Sequence, residues 1–253
     1  MIEINTYKIC SEGLPTSFDG FKIAHLSDFH NKRKNVDIIQ KLKEIKPNII
    51  AITGDFIDSR RTKLEISLAF AKEIIEIAPC YYVMGNHESR LTGIYEGFEA
   101  ELREIGFCVL RNEATEIQIN GEKITLVGID DPRLKSKKES VRGACKIIAN
   151  ELRDVKKEGF SVLLSHRPEA FLEYAYAGID LALTGHAHGG QIILPLIGGL
   201  IAPNQGLFPK YYRGIYERDK TKMIVSRGLG NSLFPFRFNN RPEIIEVVLC
   251  KKY

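Results

Sequence analysis

The sequence predicts an α/β fold in which mixed β-sheets are layered with helices. Three observations lead there. Five short apolar runs each end in a residue able to ligate a metal. The early intervals between those runs carry helical periodicity. Later, one stretch alternates apolar and polar residues about N-G-E, the pattern of a hairpin.

The apolar runs come first along the chain. F-K-I-A-H-L-S (21–27) leads into Asp28 and His30, and N-I-I-A-I-T-G (48–54) into Asp55. Y-Y-V-M-G (81–85) leads into Asn86 and His87, and F-S-V-L-L-S (160–165) into His166. D-L-A-L-T-G (180–185) leads into His186 and His188. Such runs, rich in Ile, Val and Leu without strict alternation, read as strands buried on both faces. Ile38, Ile39, Leu42 and Ile45 mark one face of a helix over 35–46, with Asn35 as N-cap and Pro47 just past its end. Further helices are expected over 62–77, 95–105 and 139–158, the last preceded by the polar loop 131–138. The segment 111–130 supplies the hairpin, and strands are expected near 222–226 and 243–250. In α/β sheets, ligands bind beyond the carboxyl ends of the strands. The polar residues sit at those ends five times over. Contributions from positions 28 to 188 to one site predict a single domain over 1–253.

Composition narrows the function classes. The chain has 253 residues, 44% hydrophobic and 27% charged, enough for a sizeable core. This excludes a disordered, collagen-like or disulfide-built chain. Lys+Arg total 36 against Asp+Glu 32, a charge of +4 that is too small to argue for nucleic acid. The five cysteines are scattered without a C-x-x-C pair, which suits free thiols in a reducing compartment. No basic leader with an apolar core opens the sequence, and the apolar stretch 192–203 is interrupted by Pro and Gly. The expectation is a cytoplasmic protein without a transmembrane segment, and without a specific nucleic-acid or protein partner.

Of six histidines, only His25 lies inside an apolar run; the other five stand at strand ends. One such histidine reads as a satisfied core or surface residue. Five, beside Asp28, Asp55 and Asn86, read as one site. Asp28 with His30, and His186 with His188, are i, i+2 pairs, which on extended backbone point the same way. Imidazole nitrogens with carboxylate and amide oxygens suit Mn, Fe or Zn. These are too many ligands for one tetrahedral ion and enough for two if a carboxylate bridges.

The ordered motifs D-x-H (28–30), G-D-F-I-D (54–58), G-N-H-E (85–88), S-H (165–166) and G-H-A-H (185–188) resemble those of the calcineurin-like metallophosphoesterases. G-I-D-D (128–131), G-H-A-H-G-G-Q and S-R-G-L-G are similar to the bacterial YkuE/YaeI-type branch. The resemblance implies a layered α/β sandwich of two mixed β-sheets flanked by helices. It implies two divalent metal ions (Mn, Fe or Zn), the first held by Asp28, His30 and His188, the second by Asn86, His166 and His186, with Asp55 bridging. His87 would be the acid that meets the leaving group and Asp58 the carboxylate that orients it. A metal-bridging hydroxide would then cleave a phosphodiester or pyrophosphate bond.

In the superfamily's protein phosphatases an Arg follows G-D-x-x-D and another precedes G-N-H-E. Here those positions are Ser59 and Met84, with Arg60 one residue displaced, so phosphoprotein is disfavoured as substrate. Lys32, Arg33, Lys34, Arg60, Arg61, Arg90 and Arg167 follow the ligand-bearing strand ends and read either as a basic rim for an anionic phosphoester or as solvated helix starts. Arg60, Arg133 and Arg237 are the candidate substrate contacts. Asp130 and Asp131 read as support for the site or as a turn. After His188, apolar and basic residues mix in loops, including L-F-P-K-Y-Y-R (207–213) and S-L-F-P-F-R-F (232–238). These are either core beneath loops or a lip for an acyl chain at a membrane surface. The alternatives are therefore a lipid-linked phosphate or diphosphate hydrolase and, in another class, a non-catalytic metal-stabilised scaffold.

Overall fold

A computed structural model describes residues 2–33, 35–135, 140–231 and 236–253. The N-terminal half runs β1 (Glu3–Ser11), β2 (Lys22–Leu26), α1 (Val36–Ile45), β3 (Ile49–Thr53), α2 (Leu64–Ile75), β4 (Cys80–Val83), α3 (Ile94–Ile105) and β5 (Cys108–Val109). A hairpin of β6 (Glu113–Ile119) and β7 (Glu122–Gly128) follows, then α4 (Val141–Asp154), β8 (Ser161–Leu164), α5 (Phe171–Tyr176) and β9 (Leu181–Thr184). Two short hairpins pair β10 (Ile193–Leu194) with β11 (Gly198–Gly199), and β12 (Ile201–Ala202) with β13 (Gly206–Leu207). β14 (Gly214–Arg218), β15 (Thr221–Val225) and β16 (Glu243–Lys251) complete the chain.

Two six-stranded mixed sheets result, ordered β1-β16-β2-β3-β4-β5 and β14-β15-β9-β8-β7-β6. Period-two alternation decides which side chain faces which layer. In the first sheet Ile23, Ile49 and Ala51 join Leu126, Val162, Leu164 and Leu183 of the second in one buried cluster between the sheets. Their neighbours Ala24, Leu26, Ile50 and Ile52 turn outward against Ile38 and Leu42 of α1, Phe70 of α2 and Phe98 of α3. On the other side Val127, Leu163 and Ala182 pack beneath Ile148 of α4 and Tyr174 of α5. The layers are helix, sheet, sheet, helix, as expected.

The central strands β2, β3 and β4 are mutually parallel, as are β7, β8, β9 and β15. Their carboxyl ends carry the ligand-bearing loops to a common rim, and helices return the chain to the opposite rim.

The expected helices and strands form, with ends displaced by a few residues. Asn35 occupies the N-cap position of α1 without capping it; its side-chain amide donates to Glu73 on α2 at 3.1 Å instead. The hairpin turns at Asn120 and Gly121, both at positive φ (51° and 81°), as a two-residue turn between twisted strands requires. Several elements are new relative to the sequence reading, among them the short strand β5 and the helix α5. β1 lies parallel to β16, residue 3 beside residue 243. β14 makes a hairpin with β15. The segment after His188 folds into the two short hairpins. Lys34, the end of the polar loop 131–138, the start of the helix expected over 139–158, and 232–235 of the second apolar-basic stretch fall outside the described residues.

Candidate metal centre

The seven strand-end residues proposed as ligands meet at one place, and all are buried. The extended-backbone argument for the two i, i+2 pairs is corrected by the structure. β2 stops at Leu26 and β9 at Thr184, and the pairs lie beyond them in left-handed conformation. Asp28, His30, Asp55, His186 and His188 have φ of 51°, 49°, 51°, 67° and 47°. Such backbone costs roughly 1–3 kcal/mol per non-glycine residue and is retained where surrounding contacts over-determine it. Here it turns each side chain inward off a strand end.

The flanking glycines have a steric reason. A Cβ on Gly85 would stand 2.3 Å from Asp55 Oδ1, and one on Gly185 only 1.8 Å from Ser27 Oγ and 2.6 Å from Asp28 Oδ2. These loops pack backbone against carboxylate.

Each carboxylate is tied by one oxygen and offers the other. Asp28 Oδ2 accepts Ser27 Oγ–H at 2.6 Å and His186 N–H at 3.1 Å, whereas the buried Oδ1 has no hydrogen-bond partner. Asp55 Oδ1 accepts the N–H of His87 at 2.8 Å, leaving Oδ2 turned to the imidazoles. His166 donates Nδ1–H to the carbonyl of Thr53 at 2.7 Å, which fixes its Nε2 lone pair toward the centre.

The offered atoms form two groups. In one, Asp28 Oδ1 lies 3.2 Å from His188 Nε2 and 3.8 Å from His30 Nε2, the two imidazole nitrogens are 3.4 Å apart, and Asp55 Oδ2 is 3.6 Å from His30. In the other, Asp55 Oδ2 is 3.4 Å from His166 Nε2, which is 3.1 Å from His186 Nδ1. The Asn86 amide oxygen faces both, 3.2 Å from His166 Nε2 and 2.6 Å from His186 Nδ1. Reversing that amide would let its nitrogen donate to both rings. In the orientation present, lone pairs converge on lone pairs, which a cation resolves. Together with the orphaned Asp28 oxygen, this donor set fits metal binding, and Asp55 Oδ2 belongs to both groups.

Burial and the neighbouring charges shift the groups of the cluster in both directions. Burial pushes the Asp28 carboxyl up to about 6. Burial works to lower His166, yet the carboxylates of Asp55 and Asp28 prevail and raise it to about 10.

His87 stands beside this cluster, its Nε2 3.9 Å from Asp55 Oδ2. Three groups meet its Nδ1: Asp58 Oδ1 at 3.2 Å, Ser59 N–H at 3.0 Å and Ser59 Oγ at 3.1 Å. The carboxylate calls for a proton on Nδ1 and the backbone N–H for a lone pair. Burial opposes the charged ring, but Asp55, Asp58 and Glu88 outweigh it and raise its pKa. The Asp58 carboxyl is held below its ordinary range against the burial that would raise it, by hydrogen bonds to His87 and Arg60.

A small cavity of about 140 Å³ opens over the cluster, with Asp55, Asn86 and His87 in its floor and Arg60, Arg90, Arg133 and Arg167 around it. Burial lowers the Arg90 pKa, and the charges of Arg133, Arg167 and Arg60 add to the effect. Arg237 does not line this cavity. Its guanidinium donates to the carbonyls of Arg227 and Gly230 and sits 3.4 Å from His188 Nδ1.

The sequence reading gave no role to Glu88 or Asn204 and left those of Arg167 and Asp131 open. Glu88 is fully buried and accepts three backbone N–H groups, from Asp55 (2.9 Å), Ile57 (2.9 Å) and Gly85 (2.8 Å), joining two ligand loops. Its signal was its place in G-N-H-E. Arg167 is a buried residue rather than a solvated helix start. It pairs with both oxygens of Asp131 (2.5 and 3.0 Å) and reaches His186 Nε2 at 2.9 Å. Asp131 therefore supports the site, whereas Asp130 pairs with Arg111 at 2.8 Å. Asn204, from the hairpin of β12 and β13, also meets His186 Nε2 at 3.1 Å, and no local motif marks it.

The model of the calcineurin-like phosphoesterase family matches residues 21–190, from β2 through the last of the candidate ligands. The chain belongs to the calcineurin-like phosphoesterase family. It is 34% identical over 254 residues to the metallophosphoesterase YkuE of Bacillus subtilis (strain 168), covering 96% of this chain and 84% of that one. It is 29% identical over 236 residues to the phosphodiesterase YaeI of Escherichia coli (strain K12), covering 88% and 80%. In fold it is similar to the crystal structure of TT1561 of Thermus thermophilus, with a TM-score of 0.53 at 12% identity, over 82% of this chain and 89% of that one. As a member of this family the chain is a metal-dependent phosphoesterase. Among the described residues of this phosphoesterase, no helix is long and apolar enough to cross a membrane.

Proposed function

We propose that this phosphoesterase is a dinuclear-metal phosphohydrolase that cleaves a phosphodiester or pyrophosphate bond. The observation that carries the reading is the sharing of Asp55 Oδ2 between two groups of converging donor atoms. Asp28, His30 and His188 would hold one ion, Asn86, His166 and His186 the other, with Asp55 common to both. Bound there, two divalent ions supply Lewis-acid stabilisation of phosphoryl charge and acidify water. Ligands of this kind accept Mn, Fe or Zn.

The chain's own groups do the rest. Arg60, Arg90 and Arg133 surround the cavity and bind and orient an anionic phosphoryl group. If His186 Nδ1 held an ion, the proton of that ring would stand on Nε2, which would then not accept from Arg167 and Asn204. Both donors would then be available to phosphoryl oxygens. His87, its protonated form favoured by Asp58, donates from Nε2 to the departing oxygen.

Metal-stripped protein reconstituted with Mn²⁺ should hydrolyse bis(p-nitrophenyl) phosphate, with His87→Ala lowering kcat by about 10²–10⁴-fold. A chain that binds two ions yet turns over no phosphoester would instead support the metal-stabilised scaffold.

A second reading, a lipid-linked phosphate or diphosphate as substrate for a cytoplasmic enzyme acting at the membrane surface, draws support from the hairpins after His188. Leu196, Ile197, Leu207 and Phe208 at or beside their turns are exposed, and Asn204 of the same segment touches His186. Vesicle-dependent activity on a lipid diphosphate would favour it.

A further inference from the structure

Next to the small cavity lies a much larger one, about 930 Å³. His30 and Asp58 form part of its wall, and Lys32, Arg33, Arg60, Arg61 and Lys63 line it from two different loops, one after β2 and one after β3. Among the described residues Asp58 is the only carboxylate in that lining, and it is taken by Arg60 at 3.2 Å and by His87. Among the described residues, no carboxylate lies within ion-pair distance of Lys32, Arg33, Arg61 or Lys63. Lys32 is also half-buried, its ammonium donating to the carbonyl of Leu229 at 2.7 Å, and burial together with Arg237 lowers its pKa.

Single exposed cations on a surface are ordinarily solvated. Several cations of one sign across a concavity with low-dielectric walls are different, because their fields add inside it. Arg60 lines both cavities, so the two share a wall at the site. The small one has room for roughly five waters at about 30 Å³ each, enough for one phosphoryl group and little more. The larger lies within the roughly 300–1,000 Å³ of small-molecule sites.

Resting on the phosphohydrolase reading, we propose that the substrate is a small phosphorylated molecule with at least two phosphate groups. The scissile phosphate sits over the metal-ligand cluster. A second phosphate seats in the basic groove against Arg61 and Lys63, with Arg60 between the two. A simple singly charged diester fills only half of this arrangement.

The groove is tested apart from catalysis. Calorimetric titration of the metal-stripped full chain compares tripolyphosphate, which spans more than one phosphate, with orthophosphate. Tripolyphosphate should bind at least tenfold more tightly. Arg61→Ala with Lys63→Ala, both on the surface, should weaken tripolyphosphate about tenfold or more and orthophosphate by less than twofold, whereas Arg133→Ala should weaken both. Unchanged tripolyphosphate affinity in the double variant would overturn the proposal, as would equal affinity for the two anions in the wild type. In a second arm, the Mn²⁺-loaded enzyme is given the p-nitrophenyl ester of thymidine 5′-phosphate with and without a 3′-phosphate. The 3′-phosphate should raise kcat/KM at least tenfold, and the double variant should remove that gain; a 3′-phosphate without effect argues against the proposal. Failure to cleave either ester would count against the phosphohydrolase reading, while the titration still reads the groove.

Discussion

Replacing Asp131 with Ala isolates a charge in the wall of the site. Arg167 and Asp131 have side-chain exposures of 4% and 0%. The carboxylate meets the guanidinium through both oxygens, at 2.5 and 3.0 Å, and one of them also accepts the N–H of Arg133 at 2.9 Å. Removing one member of a buried pair costs about 3–5 kcal/mol, because the other charge remains buried without compensation. Glu169 stays 3.3 Å from Arg167 and offsets part of this, so about 2–4 kcal/mol is expected. The lost acceptor for Arg133 adds about 1 kcal/mol. Urea unfolding at pH 7.5 measures the sum. The triple variant Asp131→Leu, Arg167→Leu, Glu169→Gln removes all three charges of the group and should return to within about 1.5 kcal/mol of wild type, since buried ion pairs are often replaceable by uncharged groups. A single variant within about 0.5 kcal/mol of wild type would refute the reasoning. The guanidinium would then be finding water, and could not be a positioned part of the cavity.

Three further outcomes follow from the geometry. Glu88→Ala leaves the N–H groups of Asp55, Ile57 and Gly85 without an acceptor, and about 3–6 kcal/mol of stability should be lost in urea unfolding, along with tight Mn²⁺ binding. Asp58→Asn removes a carboxylate that raises the His87 pKa, so the basic limb of the kcat/KM profile should move to lower pH; an upward move would contradict the assignment. Gly185→Ala drives a Cβ into Ser27 Oγ and Asp28 Oδ2, and Mn²⁺ affinity should fall by about tenfold or more even where the protein still folds.

The candidate centre was legible because its information is local. Each ligand follows its own strand within a few residues, so Asp28, Asp55, Asn86, His166 and His188 could be read one run at a time. The core strands were legible for the same reason, as β2, β3, β8 and β9 are short, continuous and apolar. Pairing across the chain was not. β1 alternates weakly, and nothing near residues 3–11 indicates a parallel partner at 243–251. Backbone conformation at the ligands was misjudged because period-two reasoning applies only while the strand lasts, and β2 and β9 end first. The supporting shell was partly hidden for a chemical reason. Arg167 looks like a surface cation until Asp131, 36 positions away, is folded against it, and Asn204 has no motif at all.

The most direct test of the central claim is a Mn²⁺ titration of the metal-stripped chain followed by electron paramagnetic resonance. Two ions sharing Asp55 Oδ2 should give two Mn²⁺ per chain and the spectrum of an exchange-coupled pair, with the coupling lost in Asp55→Ala. One ion per chain, or two whose spectra stay independent, would contradict a dinuclear centre built on that carboxylate.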